Sequence, residues 1–396
     1  MWFGSFLSNM GTWMQQVVMG SLVFKLTEST GRPSTYVAIV YFAYFLPMLA
    51  FAMIAGVVAD RFDRRRWLCM LQFEQGVASL ALAIAVWTHA RPSVWLLAAI
   101  SLCVGTGNAF NAPAWVSTMP LLVDRVDLPG ALSLNSTMIN ATRVFGPVLG
   151  GFLYPVFGAG VVFFLNALTY GFVIAAIVSI KIPTITPADG SLKDRFLGGL
   201  AVARTDPVVG RCLRFVWMFS LLCLPILGLF APIAERQLHL NSKSAAYGWL
   251  YAAFGFGAAV GSLALGTVFT RADKTKMVRP GLVGFAVTLL GFSVTRSLPL
   301  AIPAVFVFGV FYFGTATSVM TVLQTRLADN VRGRVMALWF MGFGGTVPLS
   351  ALLYGPLLDR TNSTLVLGIS AACALGLALW IDLPGTSNRA TVGARR

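Results

Sequence analysis

Charge is what this sequence has least of. Only 11% of its 396 residues are charged, 57% are hydrophobic, and the mean hydropathy is +0.79. A soluble domain carries roughly 25% charged residues, so this chain has too few to cover a water-facing surface. Apolar runs of about 20 residues recur along the whole chain, and each is long enough to cross a bilayer. The composition therefore predicts an all-α polytopic membrane protein.

Residues suited to catalysis and metal binding are scarce as well. The two histidines, His89 and His239, fall in loops, and the five cysteines lie in or beside apolar runs at irregular spacing. This pattern predicts neither a disulfide framework nor a metal site. The sequence contains no G-x-x-x-x-G-K-[ST] phosphate loop. We therefore expect no enzyme activity and no cofactor.

The apolar runs predict twelve membrane spans in two groups of six. The spans fall at 2–24, 35–59, 67–88, 94–121, 132–154, 159–181, 210–234, 245–270, 278–296, 299–323, 334–358 and 364–383. The first one lacks a basic segment and a cleavage pattern, so we expect it to be retained rather than removed as a signal peptide. The predicted domains are an N-terminal half (1–182), a cytoplasmic linker (183–208), a C-terminal half (209–385) and a tail (386–396).

Lysine and arginine are distributed unequally between the two sides of the membrane. The loops after even-numbered spans and the tail hold 21 of the 29, whereas the loops after odd-numbered spans hold 7. Because positive charge favours the cytoplasmic side, both termini and the linker are predicted to be cytoplasmic, in a cell (inner) membrane. The net charge of +15 then reflects topology and contact with lipid headgroups. It gives no reason to expect nucleic-acid binding.

The two halves repeat one plan. GVVADRFDRRR (56–66) follows the second span, and GTVFTRADKTK (266–276) follows the eighth. Pro147 in FGPVLGGFLYP of the fifth span and Pro348 in TVPLSALLYGP of the eleventh occupy matching places. Two related six-helix units joined by a linker are typical of transporters whose substrate site lies between the repeats.

The motifs also carry a family resemblance. The GxxxDRxxRR pattern at 56–66 resembles the signature loop of the major facilitator superfamily. SNMGTWMQQ in the first span and residues 113–151 resemble the branch that contains enterobactin and macrolide exporters. Members of this branch carry several residues ahead of the first helix, which implies a truncated start here. The resemblance implies the major facilitator fold, with twelve transmembrane helices in two pseudo-symmetric six-helix halves.

The resemblance also implies a function. We expect a monomeric, proton-coupled exporter of amphipathic small molecules, of the drug, macrolide or siderophore type, that works by alternating access. The fold alone hosts importers and exporters alike, so an uptake symporter or a lysolipid carrier stays open as an alternative. A non-transporting membrane sensor is a further alternative outside this class.

The charged turn at 56–66 suggests a latch between helices. Gly56 is small enough for the second helix to press against a neighbour, and the Asp60 carboxylate can meet the positive end of another helix dipole. The resemblance implies that this partner is the start of the eleventh helix, near Gly333–Met336, and that the latch closes the cytoplasmic side. Arg61 and Arg65 can bond Asp60 or helix-end carbonyls. The alternative is a basic loop without a gating role.

The fifth span carries a helix-packing motif. Gly146, Pro147, Gly150 and Gly151 share roughly one helical patch, which allows close contact and a local bend. The motif resembles the antiporter signature of drug exporters in part, since Thr142 stands where that signature has an earlier glycine.

Two charged residues fall inside predicted spans, where charge is costly. Arg143 either attracts an anion or serves proton movement in a central cavity, or it bonds backbone carbonyls and pins the fifth helix. Glu74 either carries a proton or has a structural role. Neutral polar residues complete the candidate substrate and proton pathway, or pin helices together: Asn9, Gln15, Gln16, Asn108, Asn111 and Asn140.

Overall fold

The computed structural model describes residues 2–124, 126–180, 182, 200–241 and 244–383. At some helical positions only the backbone is described, and these include Gly56, Asp60, Arg61 and Asn140. Most of the linker predicted at 183–208 and all of the tail predicted at 386–396 lie outside the described residues. The domain boundaries therefore stay a prediction.

The described chain is almost entirely helical. Its α-helices are α1 (Trp2–Thr27), α2 (Pro33–Arg61), α3 (Arg64–Thr88), α4 (Val94–Thr118), α5 (Leu128–Val178), α6 (Pro207–Cys223), α7 (Pro225–Gly228), α8 (Phe230–Leu238), α9 (Ala245–Gly266), α10 (Lys274–Val294), α11 (Leu298–Arg326), α12 (Asp329–Arg360) and α13 (Ser363–Trp380). Short 3₁₀ turns follow α1 at Glu28–Thr30 and α4 at Met119–Leu121. Nine helices in the described ranges are long and apolar enough to cross a membrane.

Two elements differ from the predicted spans. Helix α5 covers both the fifth and the sixth span, and its backbone is non-helical at Gly158, where φ is 79°. Glycine adopts this φ at little cost because it has no Cβ. The seventh span is broken into α6, α7 and α8, since Leu224 and Leu229 leave helical geometry and Pro225 has no N–H to continue a ladder. The count of twelve spans stays a prediction.

The same helix pairs pack in both halves. In the N-terminal half α1 packs on α5, α2 on α4, and α3 on both α4 and α5. In the C-terminal half the corresponding pairs are α6 with α12, α9 with α11, and α10 with both α11 and α13. This repetition confirms the predicted all-α fold with two pseudo-symmetric halves.

The most extensive contacts between the halves in the described residues are those of α2 with α12, α5 with α9, and α1 with α8, and α2 also contacts α7 and α8. Glycines allow the closest approaches. Gly151 of α5 and Gly248 of α9 face each other so closely that a Cβ on Gly248 would lie 2.7 Å from the Cα of Gly151. We call the end of the bundle at which α1 stops and α2 begins the outer end, because the predicted orientation places it outside the cell. The opposite end is the inner end.

Enlarging Gly151 should separate α5 from α9. We expect Gly151→Ala to lower the thermal unfolding midpoint, because overpacking a close contact costs about 1–3 kcal/mol. The matched control is Gly171→Ala on the same helix, where an added Cβ meets nothing within 4 Å. Fluorescence-detected size-exclusion after heating measures both variants. Equal midpoints for the two would contradict this account of the α5–α9 contact.

Candidate functional site

Arg143 lies at the junction of the two halves. Its guanidinium Cζ is 5.7 Å from the ring centroid of Trp13 on α1 and 5.0 Å from that of Phe313 on α11. The backbone of α9 passes directly behind it, since a Cβ on Gly255 would lie 2.8 Å from the carbonyl oxygen of Arg143. One side chain of the N-terminal half is thus held between rings from both halves.

The described residues leave part of the hydrogen-bonding capacity of Arg143 unused and give it no ion pair. Its Nε is buried and has no hydrogen-bond partner, and no acidic side chain within the described ranges forms an ion pair with it. Each cation–π contact contributes about 0.5–2 kcal/mol. A charged residue at the centre of a membrane helix costs about 2.5–3.5 kcal/mol even on the lenient insertion scale. Arg143 therefore retains capacity for a further partner.

Aromatic side chains of the C-terminal half surround this position. Tyr251 of α9 packs against Phe254, and Tyr312 of α11 packs against Phe313, with ring centroids 6.1 and 4.7 Å apart. The Tyr312 ring lies 5.8 Å from that of Phe254 and 6.3 Å from that of Phe343, measured between centroids. The site thus combines a single cation with an extended aromatic wall.

A narrow cavity runs from this site along the interface of the halves. Trp13 and Gln16 of α1 line it opposite Tyr251 of α9, and Tyr41 of α2 and Gly228 of α7 complete the enclosure. Its volume is about 50 Å³. Small-molecule sites commonly measure about 300–1,000 Å³, so a drug-sized ligand needs the halves to move apart here.

The outer end of the interface is closed by Asp359, at the end of α12. Its carboxylate accepts hydrogen bonds from the backbone N–H groups of Ser34 (2.9 Å) and Thr35 (2.8 Å), and from the Thr35 hydroxyl (2.6 Å). The guanidinium of Arg236 on α8 donates to the same carboxylate at 2.8 Å. Only 4% of the Asp359 side chain is exposed. The acid therefore serves as an N-cap for α2 that comes from the other half of the molecule.

Two further contacts support this closure. Lys25 of α1 pairs with Glu235 of α8 at 3.1 Å, again across the halves. Gly355 lets α12 approach α2, since a Cβ there would lie 3.1 Å from the carbonyl oxygen of Ser34. Together with Asp359, these two contacts hold α1, α2, α8 and α12 together at the outer end.

Gly355 and Asp359 repeat a spacing found at the other end of the same helix pair. GPLLDR (355–360) ends α12 at the outer side, and GVVADR (56–61) ends α2 at the inner side. The sequence analysis compared the second span with the eighth and so missed this second GxxxDR. A comparison of the second span with the eleventh would have found it.

The predicted polar pathway residues fall into two groups. Gln16 faces the cavity beside Trp13. Gln15 is buried instead within the N-terminal half, where its Oε1 accepts from Asn166 Nδ2 at 2.9 Å. Asn111 of α4 accepts from Gln72 of α3 at 3.1 Å.

The other two polar residues whose side chains are described make no contact across the halves. Asn9 donates to the Ser5 carbonyl of its own helix at 2.9 Å, and Asn108 is half-buried on α4. The side chain of Asn140 is not described. The structure therefore brings Gln16 to the Trp13 and Arg143 site, and it places Gln15 and Asn111 in helix-pinning contacts.

Glu74 lies within the N-terminal half rather than at the interface. It is half-buried on α3, and its Oε2 is buried without a hydrogen-bond partner. The carboxylate occupies the space left by Gly107 of α4, where a Cβ would collide with it.

A polar network that the sequence analysis missed lies nearby. Asn166 joins Gln15 to Ser79, with Nδ2 to Oγ at 3.4 Å, and Thr12 bonds the Tyr170 hydroxyl at 3.1 Å. The signal in the sequence was an isolated asparagine in the apolar run FFLNALTYG.

The remaining predicted residues lie as follows. Arg65 donates to the Val178 carbonyl, and the side chains of Gly56, Asp60 and Arg61 are not described. Gly146 and Gly150 contact α1, Gly151 contacts α9, and Pro147 is buried inside α5. Helix α12 begins at Asp329, so its first N–H groups precede the Gly333–Met336 segment that was expected to meet Asp60.

Comparison with known proteins identifies the family of this chain. A family model described as a transmembrane secretion effector matches residues 1–389. The chain belongs to this family of the major facilitator superfamily. It is 24% identical to macrolide efflux protein A of Streptococcus pyogenes over 383 residues, 91% of each chain. It is 25% identical to the enterobactin exporter EntS of Escherichia coli O1:K1 / APEC over 324 residues, 79% of this chain and 74% of EntS.

Solved structures share the fold. A bacterial homologue of the human lysosomal transporter Spinster, in an inward-facing and occupied conformation, superposes with a TM-score of 0.73 at 13% identity. The match covers 96% of this chain and 95% of that one. The protein is therefore a membrane-embedded, multi-pass transporter, and its family and fold are those of transporters rather than enzymes.

Removing the charge of Asp359 should weaken the closed outer end. We expect Asp359→Asn to favour opening about thirtyfold, because a hydrogen bond to a charged group contributes about 1.5–3 kcal/mol. Val37 lines the cavity and is 3% exposed. A Val37→Cys reporter, in a background without the five native cysteines, should then react faster with a membrane-impermeant maleimide added outside.

The matched control is Asp382→Asn, which removes an exposed pair with Arg279 at 3.6 Å. It should leave the Val37→Cys reactivity unchanged. Equally slow labelling in the Asp359→Asn and unaltered backgrounds would show that Asp359 does not hold the outer end closed.

Proposed function

We propose that this protein is a proton-coupled exporter of amphipathic small molecules, of the drug, macrolide or siderophore type. It works as a monomer in the cell (inner) membrane, with both termini in the cytoplasm. Two of its relatives are a macrolide efflux protein and an enterobactin exporter, which supports export as the direction of transport. Membrane lipids and protons are its other partners.

One observation carries the proposal. A cation and aromatic rings contributed by both halves meet at Arg143, while Asp359 closes the same interface at its outer end. A site shared by two halves changes its access when the halves rock against each other, which is how transporters built from repeats expose a site to alternate sides. Substrate enters from the cytoplasm in the conformation with a closed outer end.

The GxxxDR at 56–61 supplies the opposite state. Helices α2 and α12 pack together and run in opposite directions, since the end of α12 meets the start of α2, and each helix ends in this motif. By analogy with Asp359 on the start of α2, Asp60 caps the start of α12, at residues 329–332, when the inner end closes. The two caps then form in alternate conformations, and Arg61 and Arg65 support the inner one.

Glu74 is the proton carrier in this proposal. It is the only acidic residue in the interior of a predicted span. Its Oε2 has no donor among the described residues, so no hydrogen bond holds it in one protonation state. The buried polar chain of Gln15, Ser79 and Asn166 lies in the same half and offers hydroxyl and amide groups for proton movement.

Inside-out vesicles with an acid interior test coupled export. We expect a transported compound to release protons, seen as dequenching of a pH-sensitive dye, when macrolides, xanthene dyes and siderophores are added one at a time. Glu74→Gln should abolish dequenching and still bind the compound, because glutamine keeps the shape and loses the proton. Asp60→Asn should insert normally and transport slowly.

Gln72→Glu is a useful counterpart, since it adds a carboxyl two residues away, on another face of α3, without restoring position 74. In the double variant with Glu74→Gln, we expect no recovery. Full dequenching by Glu74→Gln alone would remove Glu74 from the proton pathway. Dequenching by no compound, with the protein inserted, would contradict proton-coupled export.

A further inference from the structure

The substrate class can be argued from the charge balance at Arg143. The guanidinium lies between Trp13 and Phe313, and these rings contact its faces rather than accepting its N–H groups. The buried Nε has no acceptor, and the described residues supply no carboxylate. A planar guanidinium presents donors in a fork that matches the two oxygens of a carboxylate.

A purely structural role for Arg143 would use acceptors from the protein. Other arginines in this chain show what such a role looks like. Arg236 donates to the Leu358 carbonyl and to Asp359, and Arg279 donates to the Ile381 carbonyl at 2.7 Å. No described carbonyl accepts from Arg143 in this way. The contrast favours an acceptor that arrives with the substrate.

The surroundings of Arg143 determine the rest of the ligand. Tyr251 and Trp13 line the cavity beside it, and Tyr312 continues the aromatic surface on the opposite half. Gln16 supplies an uncharged polar group to the cavity that Trp13 also lines. A ligand with one anionic group and a flat apolar body fits this site. The anionic group pairs with Arg143, and the apolar body stacks on the aromatic rings.

We infer that the central site takes an amphipathic organic anion, whose carboxylate pairs with Arg143 while its apolar body stacks on the aromatic wall. This inference rests on the proposed export function and specifies its substrate class. It predicts that organic cations of similar shape are poor substrates, because they would meet an uncompensated positive charge.

Two xanthene dyes of opposite charge test the inference. Fluorescein carries a carboxylate and is anionic at neutral pH, whereas rhodamine 6G is a cation on the same ring system. Accumulation of each dye is measured in energised inside-out vesicles. We expect the unaltered protein to accumulate fluorescein at least tenfold faster than rhodamine 6G. Arg143→Gln should lose at least nine-tenths of fluorescein transport, and Arg143→Lys should retain more than Arg143→Gln.

The matched control is Arg214→Gln. Arg214 also stacks on a tryptophan, with Cζ 6.0 Å from the Trp380 ring centroid, but it lies near the inner end of α6. We expect this variant to keep its preference for fluorescein. The control separates a general loss of arginine stacking from loss of the central cation.

The outcomes distinguish the two proposals. Faster transport of rhodamine 6G than fluorescein, or equal loss of both dyes in Arg143→Gln, would overturn the anion inference and leave export standing. Transport of neither dye by inserted, unaltered protein would count against the export function itself.

Discussion

The closed outer end depends on one carboxylate at the start of a helix. The first N–H groups of α2 have no partner within their own helix, and Asp359 of the opposite half accepts from two of them. When the halves separate, these N–H groups lose their acceptor, and an unpaired donor in a low-dielectric setting is costly. The contact therefore opposes separation of the halves at the outer end. Gly355 and the Lys25–Glu235 pair act around it.

Packing between the halves depends on where small residues lie. Neither lipid nor the apolar helix surfaces provide direction, so small residues decide where the backbones approach. Gly151 with Gly248 joins α5 to α9, and Gly345 receives Leu49 between α12 and α2. The backbone of α9 lies against that of Arg143, since a Cβ on Gly255 would lie 2.8 Å from the Arg143 carbonyl oxygen. Glycine placement thus sets the position of the α5 backbone from which Arg143 extends, and its guanidinium lies between aromatic rings of both halves.

Much of the fold could be predicted from the sequence, because apolar runs report membrane spans directly. The change of backbone direction at Gly158 falls in the gap predicted between the fifth and sixth spans. The breaks in the seventh span could not be predicted, because Pro225 reads as one more proline in an apolar run. The roles of Gln15 and Asn111 depended on which face of each helix meets Asn166 and Gln72. Spacing within one helix does not contain that information.

Helix α1 connects the two chemically distinct regions. Trp13 and Gln16 are three residues apart and face the cavity, whereas Thr12 and Gln15, also three apart, face Tyr170 and Asn166. Residues at this spacing share one side of a helix, so neighbouring positions of α1 serve opposite sides. A rotation of α1 that follows substrate at Trp13 must therefore disturb the network at Thr12 and Gln15. Under the proposed function, α1 is the element that connects a substrate at Trp13 with the polar network at Thr12 and Gln15.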